Sequence, residues 1–243
     1  MRSYYPNRKK YNMKKLLTIL LALTLFVWNQ YIGPKLQPQV KIPPQTTTAQ
    51  NNEIPAYTGK AYTVLNNNIP TFTKEELETI RDIQLDELDH LKRCGTTIGY
   101  LGPETLPKKK REPIGMVRPS GWHLAKYDFI DQKHVYNRSH LIAHQLSGIN
   151  ADPRNLITGT RYLNVIGMLP FENRTTDYIK QTKNHVLYRV KPLFKGNNLV
   201  AHGVQMEARS IEDNGRLHFN VFIHNIQPGV EIDYATGKTK ARG

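Results

Sequence analysis

No single globular fold can take in this whole chain, because Leu16 to Trp28 form an uncharged and almost wholly apolar run close to the N-terminus. A run that is apolar on every face is not the half-polar stripe of a helix laid on a soluble core. Basic Arg8-Lys9-Lys10 and Lys14-Lys15 precede it, which is the order of an export signal. Carried on to Ile32 the run reaches seventeen residues, the lower limit for a membrane span. Asn29-Gln30-Tyr31 offers no small-x-small cleavage site, and the basic flank would stay inside the cell. Residues 1–33 therefore read as a signal peptide or a signal anchor, with the balance towards an anchor through residues 16–32. Residues 34–56, rich in Pro, Gln, Thr and Asn, hold few large apolar side chains and read as a disordered linker. The folded domain is then expected over 57–236, with 237–243 as a C-terminal tail. Its expected location is extracellular, either secreted or anchored to the outer face of the cell membrane.

Charge narrows the partner. Lys and Arg number 34 against 20 Asp and Glu, a net charge of +14. Six basic and no acidic residues lie in residues 1–33, so the other 28 basic residues exceed the 20 acidic ones by eight. A basic excess in the domain itself favours nucleic acid or an anionic surface as partner. Cys94 is the only cysteine, which excludes an intramolecular disulfide, a multi-cysteine zinc site and an iron–sulfur cluster. It follows a charged run and precedes Gly95, and such thiols are far more often buried and inert than nucleophilic.

Thr73-Lys74-Glu75-Glu76 fits a capping box, and the apolar positions Leu77, Ile80, Ile83, Leu88 and Leu91 predict one scaffold helix over 74–93 with acidic outer positions. Residues 96–135 break often at Gly and Pro, as short strands and loops do, and Lys108-Lys109-Lys110-Arg111 is a basic loop that is either solvated surface or a phosphate contact. His185–Val190, Leu199–Ala208 and Leu217–His224 read as strands, the last two joined by a hairpin turn at Asp213-Asn214-Gly215. The predicted class is α+β with an antiparallel sheet.

Chemistry concentrates in Tyr136-Asn137-Arg138-Ser139-His140, the Asn155 to Asn164 stretch, and Pro170-Phe171-Glu172-Asn173-Arg174. Phosphodiester cleavage needs a base for water, a cation for the non-bridging oxygens and a Lewis acid for the departing 3′-oxygen. Each role has a candidate here. Taken singly, a strand His is more often structural and an Asn more often a cap. His144, four residues after His140, invites a metal pair, but no third ligand stands near it. Tyr162, Phe171 and Tyr178 could stack on bases, although packing is the default for such aromatics.

Together these segments resemble the DNA/RNA non-specific endonuclease family with the ββα-metal (His-Me finger) fold, most closely its streptodornase-type secreted DNases. The resemblance covers about residues 57–236. The wider family reads Asp-Arg-Gly-His, then an Asn that holds Mg²⁺ and a Glu beyond it. His140 matches the His, Arg138 the Arg, Asn164 the metal Asn and Glu172 the Glu; Asn137 and Ser139 replace the Asp and Gly.

The resemblance implies catalysis by His140 as general base with Arg138 and Glu172, and a single Mg²⁺ on Asn164, with Mn²⁺ as a substitute. Arg161 and Arg174 become candidates for substrate binding. DNA, with RNA as an alternative, would be cut to 5′-phosphate ends by a monomer. Eight residues at ~100° each put Glu172 about 80° round a helix from Asn164, with Pro170 as a candidate break between them. The competing reading is a membrane-tethered DNA-binding or DNA-uptake protein that does not cut.

Overall fold

The C-terminal strands build the main sheet. In a computed structural model describing residues 53–242, β6 (Val186–Leu193), β7 (Gly203–Ser210) and β8 (His218–His224) pair antiparallel in chain order. Almost every residue of β7 and β8 is buried, so the centre of the sheet is covered on both faces. The turn between them holds Asn214 at φ 58° and Gly215 at φ 86°, left-handed conformations that these two residue types tolerate. β1 (Tyr62–Val64), β3 (Thr97–Leu101) and β2 (Ile83–Leu85) complete six strands in the order β1-β8-β7-β6-β3-β2. The described residues belong to a unit spanning Pro44–Gly243. The proposed export segment and most of the linker lie outside the described residues; among those described, no helix is long and apolar enough to cross a membrane. Beyond residue 236, Thr239–Ala241 (β10) pairs with Val230–Ile232 (β9).

Two sequence expectations need correction. Thr73 does cap a helix with both halves of the capping box formed, but α1 (Lys74–Thr79) is a turn and a half long and not a helix to residue 93. Ile83-Gln84-Leu85 leaves as β2 to pair with Thr97–Gly99. Asp86 and Asp89, expected on an acidic helix face, instead accept backbone N–H groups from Thr96 and from Leu91 and Arg93. Such bonds offer the backbone an alternative to the helix, and here they turn the chain into β3. The third strand starts at Gly203 and not at Leu199, because the Val200 N–H is drawn off to the Tyr234 carbonyl.

A second, smaller layer carries the motif. β4 (Tyr136–His140) and β5 (Leu156–Thr160) form an antiparallel pair with His140 opposite Leu156. Ser139, standing where the wider family has Gly, fits because Gly159 faces it: a Cβ there would lie 2.3 Å from Ser139 Oγ. The connection between the two strands holds α2 (His144–Ser147) and is clamped by Asn155, whose buried amide bonds both the N–H and the C=O of Ile142 at 2.9 Å. Cys94 also sits against this connection, its thiol donating to the Pro153 and Leu156 carbonyls and pushed up to about 12 by burial, consistent with an inert cysteine.

β5 runs directly into a π-helical segment, Tyr162–Met168, that continues as α3 (Leu169–Thr182). The Leu169 N–H reaches back five residues to the Asn164 carbonyl. Pro170 does not break the helix, which runs through it from the π-helical segment into α3. Gly167 lets this helix lie directly on β8: a Cβ there would stand 2.2 Å from Ile223 Cγ2. Phe171 then packs on Tyr62 and Phe219 with ring centroids at 5.1 and 5.0 Å. Gly167→Ala is expected to cost about 1–3 kcal/mol by overpacking. The urea midpoint measures this, and adding Ile223→Ala should cost less in the Gly167→Ala background than in wild type; equal costs would mean the two sites are not in contact.

Candidate active site

The strand pair and the helix after it face a cleft of about 590 Å³ whose lining includes His140, Asn164, Glu172, Arg111, Arg138 and Arg161. The π turn brings two of these into line. One extra residue in a turn rotates the remainder of the helix back by roughly 100°, which offsets most of the ~80° expected between Asn164 and Glu172 on a regular helix.

His140 ends β4 and is only 6% exposed. Its Nε2 lies 2.7 Å from the Asn150 carbonyl, which can only accept, so Nε2 carries the proton and Nδ1 holds the free lone pair. Nδ1 is 3.5 Å from Nη2 of Arg111. Burial first, then the positive neighbours Arg111 and His144, bring His140 down to about 4 against the opposing pull of the Asn150 carbonyl. The ring is therefore neutral, and a base, at neutral pH.

Glu172 is buried, and its carboxylate has no hydrogen-bond or ion-pair partner among the described residues. Burial pushes it up to about 8, with Arg111 pulling the other way. The Asn164 amide lines the same cleft, also without a hydrogen bond of its own. Two oxygen donors left open beside a base fit a hard divalent cation. Among the described residues no three His, Cys, Asp or Glu side chains converge on a metal position, so such an ion would keep water and phosphate as its other ligands.

The three remaining arginines differ in what they can do. Arg138 lines the cleft, but its Nε donates to the Val117 carbonyl at 2.5 Å, its Nη2 to Gly115 at 2.8 Å, and it lies 4.0 Å over the Trp122 ring. Most of its hydrogen-bonding fork therefore holds the 115–122 loop. Arg161 is paired with Asp131 and bonded to Gln132 at the cleft edge. Arg174 is exposed on α3 and is not part of the cleft wall. Tyr178 bonds Asp213 at 2.6 Å and Phe171 is core, as the packing default expects, whereas His144 lines the cleft.

Sequence reasoning missed Arg111 as a site residue. It stands in a run legible only as a basic loop, and no spacing rule ties it to a histidine 29 residues away. The Asn150 carbonyl that sets the tautomer is equally hidden, since any residue supplies a carbonyl.

The sequence pattern of DNA/RNA non-specific endonucleases matches residues 74–212, more than half of the chain, and takes in all of these groups except the C-terminal strands behind them. The chain belongs to this family. Among solved structures, NucA from Streptococcus agalactiae with magnesium ion bound is 28% identical, with a TM-score of 0.64 over 74% of this chain and 87% of that one. The Sda1 nuclease with bound zinc ion is 27% identical, with a TM-score of 0.56 over 67% of this chain and 82% of that one. A protein described as an extracellular endonuclease shares the fold at 23% identity and a TM-score of 0.54, over 76% of this chain and all of the other. The protein is thus a nuclease, a hydrolase of phosphodiester bonds, on the α+β scaffold expected of it.

The depressed His140 also affects stability. Its folded pKa lies below the ordinary 6.5, so the unfolded chain binds more protons between 6.5 and about 4, and stability is full above that window and falls as pH drops through it. Buried His224, also brought down to about 4, adds to the same slope. Urea midpoints should be flat above pH 7 and fall from 6.5 to 4, less steeply in His140→Asn; an identical slope in that variant would contradict the burial argument.

Proposed function

We propose that this nuclease is an exported, Mg²⁺-dependent endonuclease that cuts DNA, and RNA to a lesser degree, without sequence preference and leaves 5′-phosphate ends. The observation that carries the reading is His140 with Nε2–H fixed on Asn150 and Nδ1, 3.5 Å from the Arg111 guanidinium, turned to the cleft that also holds Asn164 and Glu172. A tethered binding or uptake module would need neither an oriented base nor two unpartnered oxygen donors.

His140 Nδ1 takes the proton of a water as its oxygen attacks phosphorus and the bond to the 3′-oxygen breaks. An anionic phosphate beside the ring would raise its low proton affinity towards neutrality as the reaction proceeds. Asn164 would hold a magnesium ion, with Glu172 orienting its water ligands, and the ion when bound would offset charge on the phosphorane and on the leaving oxygen. Arg111, beside both His140 and Glu172, places a guanidinium where that charge develops. Arg138 acts chiefly by holding the loop at the cleft rim, Arg161 can receive a flanking phosphate from the cleft edge, and Arg174 lies too far round α3 to join them. NucA with its magnesium and Sda1 with its zinc support a single-metal reading. The N-terminal basic and apolar runs support export, with the anchor over residues 16–32 as the favoured form.

Purified protein should nick and linearise plasmid with Mg²⁺ or Mn²⁺, fail in EDTA, and give ends that ligase joins without prior kinase treatment. His140→Ala should lower the rate by roughly 10²–10⁴-fold while DNA binding persists. Asn164→Ala should lose the Mg²⁺-dependent activity, and Asn164→Asp should cleave more slowly even if it binds metal more tightly, because a carboxylate offsets part of the ion's charge. Unchanged Mg²⁺ titration in Asn164→Ala would place the metal elsewhere. Cell fractionation tests the anchor: mature protein in the medium starting near residues 30–45 would show cleavage instead.

A further inference from the structure

The two most exposed large apolar side chains among the described residues, Met116 at 71% and Leu124 at 72%, stand in one stretch of chain, and Leu124 lines the cleft. Scattered exposed apolar residues are ordinary, but these two are held there by an anchored loop. Arg138 bonds the carbonyls at Gly115 and Val117. Ser120 Oγ donates to the Leu199 carbonyl at 2.6 Å, and Thr158 Oγ1 to the Ser120 carbonyl at 2.8 Å. Gly121, at φ 65°, packs where a Cβ would meet Val200 at 2.6 Å. These contacts fix the backbone at Gly115, Val117, Ser120 and Gly121, on both sides of Met116 and just before Leu124, and so hold this segment in an exposed position. Leu124 lines the cleft together with Ile114 and Trp122, among Arg111, Arg138 and Arg161.

We infer that the 114–124 loop is a base-contacting rim: Leu124, on the cleft wall, covers the face of an unstacked nucleobase next to the phosphate being cut, and Met116 extends the apolar surface along the same loop. This rests on the reading of the cleft as a nuclease site. Phosphates drawn to the arginines bring the apolar faces of the attached bases level with this rim, and a base face is apolar whatever its sequence, which suits cleavage without sequence preference. Trp122 is already engaged, with Arg138 4.0 Å over its ring and the indole packed against the cluster of Ile130, Val135, Tyr136 and Val230. Arg138 in turn is a positioning residue, setting the height of the rim.

The test uses an end-labelled single-stranded DNA with one abasic nucleotide at a defined position, cut by the full chain and by its Met116→Ser/Leu124→Ser variant. Wild type should cut the bond beside the abasic position roughly five- to tenfold more slowly than the same bond in the intact strand, a contrast in line with loss of one base contact. The double variant, checked for native circular dichroism, should cut both at similar rates. Equal cutting of the two strands by wild type, with plasmid still degraded, would overturn the rim and leave the nuclease reading standing; no cutting of any substrate would bring down both. A variant that keeps the wild-type contrast but loses self-association or vesicle binding would also overturn it, assigning the patch to a second copy or to lipid.

Discussion

The hydrogen bond from His140 Nε2 to the Asn150 carbonyl decides which imidazole nitrogen the cleft sees, and much of the smaller layer serves to keep it in place. A buried imidazole with no acceptor on Nε2 could present either tautomer, and the nitrogen facing the substrate would then be a base only part of the time. Holding a carbonyl 2.7 Å from that nitrogen needs a fixed loop between two strands. Asn155 fixes it by satisfying both backbone groups of Ile142 inside the core, where an unpaired N–H or C=O would be costly. Asn225 extends the same device to the next strand, accepting from the Thr160 N–H and donating to the Thr158 and Ala201 carbonyls.

The helix that supplies the metal candidates is fixed by a contrasting device, close backbone approach. Gly167 brings the π-helical turn onto β8, and the wider turn swings Asn164 and Glu172 towards one side. π turns recur at functional sites because they re-aim side chains that a regular helix would spread apart. Glu172 and the phenol of Tyr188 are both buried without a hydrogen-bond partner, so the layer beneath the cleft holds polar groups that a purely structural core would not keep.

Electrostatics divides the arginines by what already engages them. Arg138 is held by two carbonyls and an indole, and Arg161 by a carboxylate. Arg111 makes no ion pair among the described residues and one long hydrogen-bond contact, 3.5 Å to the His140 ring, so it is the one of the three most available to an incoming phosphate. Its charge lowers His140 and opposes the rise of Glu172, coupling base and metal candidate through a single loop residue.

The family, the α+β class and the strands with dense β-branched and aromatic residues were legible from the residues alone, as were His140, Asn164 and Glu172 as candidates that the fold brings to one cleft, because those signals are local or sit at fixed offsets along the chain. The sequence also carried the charge excess and the inertness of Cys94. Where the helix after Thr73 stops is a matter of long-range pairing, since β2 is defined by its partner β3 and not by its own three residues. The tautomer of His140, the approach of Arg111, the engagement of Arg138 and the alignment of Asn164 with Glu172 belong to the same class. Each depends on a backbone carbonyl, a loop path or one extra residue in a helical turn, and none of these leaves a side-chain pattern in the sequence, because every residue type has the same main chain.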